Sequence, residues 1–181
     1  NRRLNRLEVF RSMRIEAAEA IPEDGMLPFG ITVQEQPLRR FGLGATYSSI
    51  DGIGVEGFWL HRNLFGQAER LRLDARIASI AYPIDTEEFD YAIGGTFTKP
   101  GIYGPDVDFV ASVSAERTLV DTYLETSATA RVGFTQVLTG EIAFEGNVFV
   151  ERAQFEDDYG LRDFNTAGLF VGATFDNRDS T

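Results

Sequence analysis

Arg70-Leu71-Arg72-Leu73-Asp74-Ala75-Arg76-Ile77 alternates charged and apolar residues without a break. Period two is the mark of a β-strand with two unlike faces, here one apolar and one carrying three arginines. The strand predicted on this pattern covers residues 69–81. The same alternation recurs on both sides of it. Residues 38–49 set Phe41, Leu43, Ala45 and Tyr47 against Gly42, Gly44, Thr46 and Ser48, and residues 53–62 set Val55 and Trp59 against Glu56 and Phe58. Downstream, residues 89–98, 107–117, 123–136, 141–152 and 164–176 alternate in the same way. The expectation is about eight antiparallel strands, most of them longer than the ~5–6 residues usual in globular proteins.

The first 37 residues differ in character. Leu4, Leu7 and Val9 among charged neighbours predict the end of an amphipathic helix over residues 1–9. A strand is expected over 13–20, a turn at Pro22-Glu23-Asp24-Gly25, and a second strand over 28–35. Pro37 closes this small α+β unit.

Composition narrows the function. The chain has 181 residues, one His and no Cys. That leaves no thiolate for an iron–sulfur cluster, a Cys zinc site or a Cys nucleophile. A net charge of -11 argues against a nucleic-acid partner, which needs a basic face. With 43% apolar residues the chain is not of the disordered class. No run approaches the ~20 apolar residues of a spanning helix, but a membrane strand needs only about 9–11, half of which can be polar. The 18 Gly and 15 Phe, with 16 Arg and the single lysine Lys99, suit an all-β chain.

A soluble sheet with one wet face would alternate too. Strand length and loop chemistry favour a membrane barrel. The links at 63–68, 99–106 and 137–140 are largely neutral, whereas Asp85-Thr86-Glu87-Glu88 and Glu156-Asp157-Asp158 are acidic. Two ends of unlike chemistry fit a sheet crossing a bilayer. Trp59, Tyr47, Tyr82 and Tyr123 near strand ends suit an interfacial girdle. Acidic runs of this kind are usually solvated, and could otherwise hold divalent cations.

His61-Arg62-Asn63-Leu64-Phe65-Gly66 is the most distinctive string, placed between two strands, with Asn and Gly suited to a turn. His61 could serve as a base or a ligand, but with no second His or Cys it reads as structural. No Gly-x-Ser-x-Gly elbow is present for a hydrolase. Arg70, Arg72 and Arg76 on one face read as a solvated inner wall, expected to pair with carboxylates of neighbouring strands.

Several strings together resemble the BamA/TamA family of outer-membrane assembly proteins, closest to its TamA branch. They are Leu27 to Glu35, Arg39 to Ser49, Gly52-Ile53-Gly54, His61 to Glu69, Lys99-Pro100, and Asp176 to Thr181. Ala68 departs from the pattern, where Gly is expected. The resemblance implies that residues 1–37 are the C-terminal part of a last periplasmic POTRA domain. It implies that residues 38–181 are the N-terminal half of an outer-membrane β-barrel of about 16 strands, open in this span. The neutral turns would lie in the periplasm and the acidic links outside the cell.

The implied function involves no covalent chemistry and no cofactor. The first barrel strand would form a lateral gate at which client β-barrel proteins, autotransporters in the TamA branch, are inserted. The implied pairing residues are Arg40, Phe41, Gly42, Leu43, Gly44, Ala45, Thr46 and Tyr47. Implied partners are outer-membrane lipids, the clients, and an inner-membrane-anchored TamB-like protein. Two other readings of Gly42 and Gly44 stand beside each other: weakening a gate strand, or relieving crowding inside a barrel. The alternative to a gate is a complete small outer-membrane barrel with a structural or pore role.

Overall fold

The computed structural model describes residues 4, 6–17, 27–49, 52–81, 84–120, 122–139 and 141–176. Two antiparallel sheets form. β1 (Phe10–Ala17) and β2 (Phe29–Glu35) make a two-stranded ribbon, with Ile15 opposite Ile31. Eight further strands make the second sheet: β3 (Arg39–Ser48), β4 (Gly52–Arg62), β5 (Arg70–Ile80), β6 (Asp90–Lys99), β7 (Val107–Val120), β8 (Tyr123–Val137), β9 (Ile142–Asp157) and β10 (Gly160–Phe175). Each strand pairs with the next in the chain, so the sheet is an up-and-down meander.

Register shows why the alternation matters. One line across the sheet runs Arg72, Thr96, Ser112, Arg131, Phe149 and Gly168. The adjacent line runs Phe41, Trp59, Leu73, Gly95, Val113, Ala130, Val150 and Ala167. Every strand thus adds to the same polar face and the same apolar face, because a slip of one residue would reverse both.

No core packs against the apolar face. Among the described residues the only buried apolar side chains are Ala68, Phe89 and Ala153, whereas Leu43 is 85% and Leu169 72% exposed. A soluble sandwich would bury such a face at about 25 cal/mol per Å², and among the described residues no second layer covers it. On β9 the apolar row runs from Ile142 to Val150, and Arg152 follows on the same face. That is about 27 Å of strand at ~3.4 Å per residue, or about 21 Å along the normal at a ~40° tilt, near the ~25 Å band of membrane barrels. No helix of the described residues is long and apolar enough to cross a membrane.

β3 and β10 lie at opposite edges of the sheet. A closed eight-stranded barrel requires them to pair, and among the described residues they do not.

Several expectations need correction. Of the helix end expected over residues 1–9, Leu4 and Arg6 are helical, residues 1–3 and 5 lie outside the described residues, and Glu8 leaves the helix at φ 54°. No whole helix stands among the described elements, so the α+β character expected of residues 1–37 is not shown. β1 starts earlier than the strand expected over 13–20, and the turn at 22–25, Tyr82 and the 177–181 ending lie outside the described residues. Where Glu156-Asp157-Asp158 was expected to be a link, β9 instead runs through Asp157 and joins β10 at Asp158–Tyr159. Cross-strand partners extend them: Phe155 stacks on Phe164 at 5.5 Å, Gln154 donates to Asp163 at 3.1 Å, and Arg162 pairs with Asp157.

Candidate functional site

β3 is an edge strand. β4 holds one side of it, and among the described residues its other side has no strand partner. An unpaired edge offers a row of main-chain donors and acceptors to an incoming strand. Of the residues expected here, Phe41, Leu43, Ala45 and Tyr47 fall on the apolar face, and Phe41 and Tyr47 are among the most exposed side chains of the chain. Arg40, Gly42 and Thr46 fall on the polar face, and Gly44 with them.

The two glycines have a steric reason. A Cβ at Gly42 would run into the Phe58 ring, and one at Gly44 would come within 3.2 Å of the Glu56 side chain. On the other face Leu43 reaches over Gly57, 2.9 Å from where a Cβ would stand. β3 and β4 therefore interlock side chain over backbone on both faces. Of the two readings of Gly42 and Gly44, close approach is the one the geometry displays.

Phe58 is itself capped by charge. The Arg72 guanidinium lies 4.3 Å from the ring centroid and that of Arg40 5.7 Å. Arg72 is held by Asp74 on its own strand, through Nε at 2.9 Å and Nη2 at 2.6 Å. Arg70 pairs with Glu8 of the N-terminal segment at 2.5 Å. Neither arginine takes a carboxylate from a neighbouring strand of its sheet, as the sequence suggested. Side chains two apart on a strand share a face, and Glu8 arrives from outside the sheet.

The turn between β4 and β5 anchors the base of this edge. Asn63 and Ala68 take positive φ, 57° and 63°, and Gly66 takes 92°. Asn63 Oδ1 accepts the Ala68 N–H at 2.8 Å, and the Leu64 N–H reaches the Glu69 carbonyl at 3.0 Å. Inside the turn sits the Glu69 carboxylate, 1% exposed. Its Oε2 accepts the N–H groups of Gln67 at 3.0 Å and Phe65 at 3.3 Å, and Lys99 Nζ lies 3.6 Å from Oε1. Burial pushes the carboxyl up, but the N–H donors and Lys99 together hold it below its ordinary value. Lys99 also donates to Gln67 Oε1 at 2.9 Å, tying this turn to the next.

Glu69 is the residue sequence reasoning missed. Its signal was present: a lone carboxylate at the close of a turn otherwise free of acid. His61 lies on the apolar face beside Trp59, ring centroids 5.7 Å apart, its Nδ1 buried without a hydrogen-bond partner. Among the described residues no three acidic or histidine side chains gather to hold a metal.

The aromatic girdle is made mostly of phenylalanine. Phe65, Phe97, Phe109 and Phe134 follow one another across the apolar face at 6.4, 6.5 and 5.6 Å, and Tyr103 joins Phe134 at 5.6 Å. All lie at the end carrying the 63–68 and 99–106 turns. Tyr123, expected in a girdle, falls on the polar face with Glu125 and stacks on Phe155.

A fold of this kind is also found in a solved structure. The crystal structure of BamA from Haemophilus ducreyi lacking POTRA domains 1–3 superposes with a TM-score of 0.69, over 99% of this chain and at 13% identity. The chain is similar in fold to BamA. It spans 38% of the length of that BamA chain. At this identity the likeness is one of fold, and its sheet corresponds to part of the BamA barrel. No family model matches the sequence, and no curated protein matches it. The fold likeness is to a BamA structure, and the TamA branch rests on the sequence strings alone.

Proposed function

We propose that this chain is part of an outer-membrane protein assembly factor, with β3 as the gate strand at which a client strand is added. The carrying observation is the place of β3 as first strand of a sheet whose fold is that of part of a BamA barrel, at an edge that no strand of the described residues covers. Its location would be the bacterial outer membrane, with the N-terminal segment in the periplasm. The bare apolar face, the girdle and the height of the apolar row support that location.

The physics of the edge supports the role. In hydrocarbon each unpaired main-chain group costs several kcal/mol, so a free strand edge there must be covered or must line water. A client strand arriving at β3 offers main-chain partners in register, and the exposed apolar residues Phe41, Leu43 and Tyr47 face lipid before and after the exchange. Nothing covalent changes. Residues 1–37 are read as the end of a POTRA domain and the clients as autotransporter-type barrels, with a TamB-like protein as the inner-membrane partner. These three finer assignments rest on the sequence strings.

The test is an engineered disulfide joining β3 to whatever strand faces its free edge in the intact protein. Client assembly should stop and return on reduction. Assembly that continues with the disulfide formed would overturn the gate.

A further inference from the structure

Where the N-terminal segment meets the sheet there is a cavity of about 320 Å³. Its walls come from three places: Leu7, Val9 and Phe10 before and in β1, Glu35 and Leu38 around the link to β3, and the turn from Arg62 to Ala68. Leu7, Val9, Phe10 and Leu38 are its apolar walls, and Arg62 is the one basic residue among those that line it.

Arg62 is 7% exposed. Among the described residues its guanidinium makes a single hydrogen bond, from Nη1 to the Pro37 carbonyl at 3.1 Å, and its buried Nε meets no acceptor. Among the described residues no carboxylate stands within ion-pair distance of it, and its cross-strand partner is another arginine, Arg70, already engaged by Glu8. A buried cation with neither counter-ion nor a full set of acceptors is costly unless an anion joins it. Arginine is suited to a carboxylate, which it meets with two parallel N–H donors.

We propose that this junction cavity binds an apolar group ending in a carboxylate. The carboxylate pairs with Arg62, and the apolar part lies against Leu7, Val9, Phe10 and Leu38. A single unpaired cation in an apolar pocket matches one negative charge better than a phosphate dianion. The ligand would touch the N-terminal segment and the barrel turn at once, and so fix the angle between them. The C-terminal residue of a polypeptide and a free organic acid share this chemistry. The inference does not depend on β3 being a gate.

The test uses ligand-observed fluorine NMR on the intact protein in lipid nanodiscs, with empty nanodiscs as blank. The probes are 4-fluoro-N-acetylphenylalanine, its carboxamide, and 4-fluorophenylacetate. Saturable broadening by the carboxylates, at least tenfold weaker for the carboxamide, is expected. Arg62→Gln should weaken carboxylate binding tenfold or more, and Arg62→Lys by less. Glu35→Gln removes a competing acid at the cavity wall and should strengthen it. Tighter binding of the N-acetyl amino acid than of 4-fluorophenylacetate assigns the site to polypeptide termini; the reverse order assigns it to free acids. Equal binding of acid and carboxamide, or no saturable binding of either acid, overturns the proposal. Should Arg62→Gln fail to fold, the comparison of acid with carboxamide on the unaltered protein still decides.

Discussion

The ring of Phe58 lies over the backbone of Gly42, where a Cβ would collide with it. β3 is thus held to β4 by a side chain crossing onto its polar face, while its far edge stays open. The other edge of the sheet repeats the device, with Phe149 over Gly168 and Glu145 close to Gly172.

Gly42→Ala should therefore destabilise the β3–β4 pair by about 1–3 kcal/mol, the usual cost of overpacking. Phe58→Leu in the same chain should recover much of it. Urea unfolding of both single variants and the double variant in detergent checks this: the pair should be non-additive, as contacting residues are.

Glu69 gives the β4–β5 turn a pH dependence. Its carboxyl titrates below the ordinary 4.5 because the folded turn favours the charged form. The stability it contributes is fully present above that ordinary value. It is lost as pH falls from there through the folded value. Glu69→Gln should weaken the turn at neutral pH by about 1.5–3 kcal/mol and flatten this acid limb. Proteolysis within residues 63–68, followed against pH, reads both effects.

Ala68 holds φ at 63°, a left-handed conformation that costs an L-residue about 1–2 kcal/mol. Ala68→Gly should raise the unfolding free energy read from urea denaturation by up to about 1 kcal/mol, part of the gain being offset by glycine's freer unfolded chain. Ala68→Val should lower it.

The N-terminal segment is fastened by charge. Arg6 reaches Asp106 and Asp108, each at 3.1 Å, and Glu8 reaches Arg70. Pairs of this partly exposed kind are worth up to about 1 kcal/mol each and are screened by salt. Amide exchange in residues 6–10 should quicken between low and high ionic strength, and Asp108→Asn should reduce that salt effect.

Alternation made the eight-strand sheet legible, since residues such as Arg70 to Ile77 leave one choice of face. Strand ends on the acidic side were harder to see. Glu156 and Asp157 read as loop because acid clusters usually are, and only the partners across the hairpin, Arg162 and Asp163, show that the strands continue. The free edge of β3 was not readable from periodicity, because which strand goes unpaired is a property of the whole sheet. The interlock of Phe58 with Gly42 needed register, which sequence spacing suggests only after the hairpin is known. Glu69 was hidden for a different reason: charge at a turn normally means exposure, and here three main-chain donors and Lys99 keep it buried.

The central claim is that client strands pair with β3. These 181 residues contain no cysteine, so any already present elsewhere in the intact protein is first replaced by serine. Thr46→Cys on β3 and Thr96→Cys on β6 both lie on the polar face, one on the edge strand and one inside the sheet. Each would be placed in the intact protein and trapped during assembly of a client carrying one cysteine in its terminal strand. A disulfide at position 46 with only background at 96 is the expected result. Equal trapping at both, or assembly of the client with none at 46, would contradict the account.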